Sequence, residues 1–312
     1  MAAHLARRLA LRYTTIVSPE VLREHLGDPG WVVIDCRHNL QDFTAGRRSY
    51  EAGHIPGAFF ADVERDLAGE KTGRNGRHPL PDPQRFADFL SSLGVRDDSQ
   101  VVAYDEGADM YAARLWFLCR WIGHEAAAVL DGGIAAWRTL GYPIETRHAE
   151  PFDFAAYGGY AQDRLREQSE RSRGTDDTLT VRLHPELLVT VDDVLADLES
   201  PAMRLLDARA SDRFRGEIEP IDPVAGHIPG ARNLWFKDNF DANGRLKSPE
   251  ALRAMYAQHG SPAHVVHQCG SGISSAVNLL AMEYAGLPGS RLYNGSWSEW
   301  CSDPGRPIAK GE

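Results

Sequence analysis

AGHIPGA stands at residues 52–58 and returns, letter for letter, at residues 225–231. An identity of this length inside one chain is read first as an internal repeat, and the flanks support that reading. Each copy is preceded by an apolar strand ending in acid-x-arginine, VVIDCR (Val32–Arg37) and RLLDAR (Arg204–Arg209). Each is followed by a second apolar strand running into a loop, VVAYDEG (Val101–Gly107) and VVHQCGSG (Val265–Gly272). DGGIAAW (Asp131–Trp137) and NGSWSEW (Asn294–Trp300) close the series. Four landmarks in one order, repeated at half-chain distance, mean a duplication. Two domains are expected, 14–150 and 181–312, and a length of 312 residues suits two cores of ordinary size. Residues 151–180 between them are expected to be a linker. Gly158–Asp177 in particular is charged and poor in large apolar side chains.

Within each half, short β-branched runs alternate with helical patterns. Ser18–Leu26 opens with a capping serine and a proline at the first helical position, and Thr190–Leu198 opens on a capping threonine. Asp82–Gly94 and Tyr111–Gly123 read as amphipathic helices, each closed by its glycine. Such alternation predicts an α/β fold in each domain, a mainly parallel sheet with helices on both faces. The repeated Asp35/Arg37 and Asp207/Arg209 pairs are expected to fix the loops around the AGHIPGA turns. His54 and His227 recur in both halves and read as architecture.

The net charge of −10 argues against nucleic acid as a partner. A small anionic ligand would need a local basic site. No apolar run has the roughly 20 residues of a membrane span, and the most apolar stretch, Leu115–Ile122, contains Arg120. The first twelve residues hold three arginines and no acid. They read as an extension on a cytoplasmic protein, with a mitochondrial presequence as the alternative. Cys36, Cys119, Cys269 and Cys301 are widely spaced and form no C-x-x-C pair. Neither a metal site nor a disulfide framework is expected, and a reducing compartment fits.

Cys269 carries the chemistry. It follows the strand VVHQ and opens a loop, Gly270, Ser271, Gly272, Ile273, Ser274, Ser275, that leads into a helix. Glycines at 270 and 272 let successive N–H groups turn inward, and the helix start adds its positive dipole end. That cradle suits a thiolate and, after reaction, a persulfide anion. The matching position of the first half is Asp105, which cannot carry sulfur. A thiol phosphatase loop would need an arginine six residues after the cysteine, where Ser275 stands.

AGHIPGA, the D-x-R strand ends, CGSGISS and NGSWSEW resemble the motifs of tandem rhodanese-domain sulfurtransferases over about Thr15–Pro307. The resemblance implies a catalytic second domain and an inactive first one. It implies a nucleophile at Cys269 and a substrate-binding arginine at Arg213 within SDRFRGE. It also implies a proton relay from Ser271 to His78 of HPLP and on to Glu64, which falls where relatives carry aspartate. Met110 and Tyr111 match positions lining the cleft. The CGSG loop is similar to that of 3-mercaptopyruvate enzymes, and the basic residues that often follow the cysteine in thiosulfate enzymes are absent. A second arginine that follows Glu-Pro in mercaptopyruvate enzymes is missing: Ile221 stands there, and Arg215 is the nearest substitute. The expected function is double-displacement sulfur transfer, without metal or organic cofactor, from 3-mercaptopyruvate or thiosulfate to cyanide, a thiol or a thioredoxin-like reductant. The expected protein is a monomer. A persulfide carrier or a binding module for a protein partner is the alternative.

Overall fold

A computed structural model describes residues 12–146 and 179–312. The arginine-rich start lies outside them except for Arg12, and so does the expected linker except for Leu179 and Thr180. Two five-stranded, all-parallel sheets repeat one topology. The first runs β1-β5-β4-β2-β3, from β1 (Ile16–Val17), β2 (Trp31–Asp35), β3 (Phe59–Phe60), β4 (Gln100–Tyr104) and β5 (Ala127–Leu130). The second runs β6-β10-β9-β7-β8, from β6 (Leu188–Val189), β7 (Arg204–Asp207), β8 (Arg232–Asn233), β9 (Val265–Gln268) and β10 (Arg291–Tyr293). The middle strands β4 and β9 are buried throughout, as strands covered on both faces must be. Alternation sends Val32 and Ile34 to one apolar layer and Val33 to the other.

The repeated motif forms the same turn twice. Ile55–Ala58 and Ile228–Ala231 close with N–H to C=O bonds of 2.9 and 3.1 Å. Proline stands second and glycine third in each, and Gly57 and Gly230 have φ of 78° and 79°, the type II pattern that only glycine enters without strain. Arg37 grips Asp35 through two nitrogens and donates to the Gly53 carbonyl at 2.8 Å. Arg209 grips Asp207 and donates to the Gly226 carbonyl at 2.8 Å. Each buried pair therefore ties a strand end to its turn. His54 and His227 donate from Nδ1 to the carbonyls of Tyr50 and Phe214 and stack on those rings, which makes them packing residues.

Helix caps follow the expectation at Ser18 and Thr190, and Asp82 caps a third helix, each accepting from an N–H group of the first turn. One helix departs from it. Tyr111–Trp121 is buried on every side apart from Arg120, so it is not amphipathic. The sequence reading assumed a solvent face, but that face packs on helix Ser275–Tyr284 of the second domain, itself almost wholly buried. Ile273, Ala276, Val277, Leu279 and Leu280 thereby join the core of the first domain. Residues leading into the second half also lie on the first: Thr180 bonds to Asp97, and the N–H groups of Arg182 and His184 donate to the carbonyls of Ile122 and Trp121. Among the described residues no helix is long and apolar enough to cross a membrane.

Candidate active site

Cys269 emerges from the carboxyl end of β9, where open parallel sheets present their ligands. Its thiol is 2% exposed. The N–H of Gly272 points at Sγ from 3.1 Å, the N–H of Ser271 and the Ser275 hydroxyl from 3.5 Å. Burial alone would push this thiol up. Hydrogen bonds from the Ser274 and Ser275 hydroxyls and from the N–H groups of Ser271 and Ser275 outweigh it, and the pKa falls below its ordinary value. The buried Cys36 and Cys119 lack such a cradle and are pushed up by burial. Cys301 is buried and also pushed up, by burial first.

The loop geometry explains its glycines. Gly272 has φ 78°, and a Cβ there would stand 2.3 Å from the Asn294 carbonyl oxygen. Gly270 keeps room for arginine side chains that cross it. Ile273 anchors the loop in the interdomain core. In the first half, Asp105 occupies the cysteine's place after β4. It is buried and accepts from the N–H groups of Gly107 and Ala112 at 3.1 and 3.0 Å. A carboxylate thus fills the duplicated cradle from within.

The three residues expected to form the relay meet across the domain boundary. His78 Nδ1 lies 2.7 Å from Ser271 Oγ, and Nε2 lies 2.8 Å from Glu64 Oε1. Lys71 donates to the other Glu64 oxygen at 2.6 Å. Burial would raise Glu64, but the bonds from His78 and Lys71 hold it down at about 2, so it is ionised. An ionised Glu64 takes the Nε2 proton as its hydrogen bond, which leaves Nδ1 as the acceptor for the Ser271 hydroxyl. Burial lowers His78 below its ordinary 6.5 despite Glu64, so the imidazole is neutral near pH 7. Arg213 is mostly buried and donates to Glu219 at 2.7 Å and Asp222 at 3.3 Å, with its fork 3.6–3.7 Å from the Cβ position of Gly270. Met110 and Tyr111 begin the interdomain helix, and Tyr111 meets edge-on the ring of His38, whose Nε2 lies 3.9 Å from Glu64. Arg215 pairs with Glu217 at the surface and makes no contact with the cysteine loop.

Two residues that sequence reasoning passed over complete the site. Arg114 is fully buried in the interdomain helix. Its guanidinium donates to the carbonyls of Leu67, His78, Pro79 and Gly272 and to the side chain of Asn294. One side chain therefore fixes the His78 strand against the cysteine loop. Burial drops its pKa to about 10, offset by the nearby Cys269 charge. A lone arginine in the apolar run YAARLWFL was the available signal. Ser296 is the second. It has φ 56°, the same as Gly133 at the matching place in the first half. Its hydroxyl accepts from the Cys269 N–H at 3.1 Å and donates to the Tyr293 carbonyl at 2.9 Å. A side chain is kept in a glycine conformation because its oxygen holds the nucleophile's backbone. Ser296→Ala retains the strain and loses both bonds, and is expected to cost about 1–3 kcal/mol in a urea melt. Ser296→Gly, which relieves the strain, is expected to cost less; a larger loss in the glycine variant would contradict this account.

A thiol in an amide cradle at the end of a central parallel strand, with a second copy of the same domain that carries Asp105 in the thiol's place beside it, defines a sulfur-handling enzyme of duplicated α/β architecture. The model of the rhodanese-like domain matches residues 18–140 and 190–303. The chain belongs to the tandem rhodanese-domain sulfurtransferase family, and it is a sulfurtransferase. It is 43% identical over 304 residues to a Pseudomonas aeruginosa protein named "Probable 3-mercaptopyruvate sulfurtransferase", covering 95% of this chain and 98% of that one. It is 31% identical over 298 residues to "Thiosulfate/3-mercaptopyruvate sulfurtransferase 2" of Arabidopsis thaliana, covering 94% and 86%. Among solved structures it is similar to the 3-mercaptopyruvate sulfurtransferase SseA of Escherichia coli, with a TM-score of 0.72 at 31% identity over 91% of this chain and 99% of that one.

Proposed function

We propose that the sulfur donor is 3-mercaptopyruvate and that Cys269 takes the sulfur as a persulfide. The observation that carries this is the Ser271–His78–Glu64 relay. Sulfite leaves thiosulfate with its charge on oxygen and needs no proton. Pyruvate leaves mercaptopyruvate as an enolate that must be protonated on carbon. In the proposed step the Cys269 thiolate attacks the donor sulfur, the S–S bond forms and the C–S bond breaks. The donor's thiol proton passes through Ser271 and His78 to the enolate carbon, giving pyruvate and a persulfide anion held by the loop N–H groups. Arg213 binds the donor carboxylate through its fork. A thiol or cyanide then removes the outer sulfur and restores the thiolate. A cytoplasmic location fits four buried cysteines that form no disulfide. A thiol at 2% exposure favours small donors and acceptors over a carrier that docks a protein on an exposed persulfide.

The test is steady-state transfer to cyanide with each donor. A clear preference for mercaptopyruvate supports the proposal. A preference for thiosulfate overturns the donor, and persulfide without turnover points to a carrier.

The relay also sets a pH response. Neutral His78 is the competent form, so kcat with mercaptopyruvate is expected to fall on the acid side with a midpoint below 6.5. Glu64 favours the imidazolium. Glu64→Gln is therefore expected to move that limb to still lower pH while reducing the plateau. A limb that stays in place in this variant would remove His78 as its source.

A further inference from the structure

Arg77 comes from the first domain, next to His78, yet it ends over the cysteine loop of the second. Its backbone N–H donates to Ser298 Oγ at 3.0 Å. Its Nη1 donates to Asp222 Oδ1. Its Nη2 has no acceptor among the described residues and lies 2.9 Å from the position a Cβ of Gly270 would take. The Arg213 fork reaches the same point at 3.6 and 3.7 Å, and Arg213 Nη2 donates to the other Asp222 oxygen at 3.3 Å. Asp222, whose side chain is 3% exposed, thus bridges two guanidinium groups from two domains. Asp222 and, on Arg213, Glu219 balance the two cations, so what the pair offers over the residue that follows the nucleophile is the open Arg77 Nη2 donor beside the Arg213 fork, a place for one anionic oxygen. The arginine absent after Glu219-Pro220 leaves Ile221 exposed at 44%, and Arg215 is turned away.

We propose that Arg77 is the second donor-binding residue, its Nη2 gripping the donor's carboxylate together with Arg213 across the domain boundary. Asp222 is then a positioning residue that orients both forks. This rests on the reading of Cys269 as nucleophile and deepens it. The specificity cation comes from the domain that has lost its own chemistry.

The test uses two readouts on the full-length protein. In steady state, Arg77→Met is expected to lower kcat/KM for mercaptopyruvate about tenfold to a hundredfold, mainly through KM, with the KM for cyanide unmoved. Arg77→Lys, which keeps the charge without the fork, is expected to fall between. The second readout needs no turnover: the rate of Cys269 alkylation by anionic iodoacetate relative to neutral iodoacetamide, followed on the Cys269 peptide. Arg77→Met is expected to lower that ratio several-fold while leaving the iodoacetamide rate close to wild type, which also reports an intact fold. Wild-type values of both KM and alkylation ratio in Arg77→Met would overturn the proposal. If the wild-type protein turns over no donor, the functional reading fails, and the alkylation ratio still decides whether Arg77 binds an anion over Cys269.

Discussion

Cys269→Ser is expected to abolish sulfur transfer, with kcat/KM down by about a thousandfold or more. The reason is not acidity alone. A serine oxygen in the same cradle cannot form the S–S bond, so there is no slower version of the same route. The check is a pair of measurements. Transfer to cyanide is followed for both proteins, and each is incubated with donor alone, digested and weighed by mass spectrometry. The peptide containing Cys269 should gain one sulfur in the wild type, whereas those containing Cys36, Cys119 and Cys301 should not. Those three thiols are buried without the amide donors that hold Sγ of Cys269, and burial raises each of them. Full activity in the serine variant, or sulfur on another cysteine, would end the assignment.

Arg114→Met is expected to be the most damaging change outside the nucleophile. Arg114, fully buried, satisfies four backbone carbonyls and the Asn294 side chain. Methionine fills much of the volume and none of that demand, so several buried acceptors are left unpaired. A loss of at least about 3 kcal/mol in a urea melt is expected. A purely structural residue would stop there. Arg114 is also a buried cation beside Cys269 whose hydrogen-bond partners are neutral oxygens, so removing it should raise the thiol pKa. Alkylation of Cys269 by iodoacetamide across pH reads this directly. An unchanged profile in folded Arg114→Met would confine the residue to scaffolding. Arg114→Lys, with the charge but fewer donors, should recover the profile better than the stability.

What could be read in the sequence was what is local. The AGHIPGA turns, their Asp-x-Arg ties and the helix caps depend on residues close along the chain, and each formed as expected. The contrast of Cys269 with Asp105 came from comparing two copies, which needs only alignment of the chain with itself. Ser271, His78 and Glu64 came through the family resemblance, and the structure brings them into one hydrogen-bonded line. The residues that were missed act between the domains. Arg114 looks like an interruption in an apolar helix until the neighbouring helix is placed against it. Arg77 looks like loop charge until Asp222 and Gly270 are seen beneath it. The helix Tyr111–Trp121 was read as having a wet face for the same reason, because periodicity reports polarity and not which neighbour covers it. Ser296 was visible in principle, as the serine facing Gly133, but its meaning required a φ angle.

The carboxylate of Asp105 in the duplicated cradle sets an accounting rule for the whole molecule. The N–H groups that would hold a second sulfur anion are already occupied by a group covalently part of the chain. On the proposed route each chain is therefore expected to hold one sulfur in transit at a time, at Cys269. The first copy keeps the shape of the cradle with its berth taken by Asp105, and its loops lie over the cysteine loop of its twin.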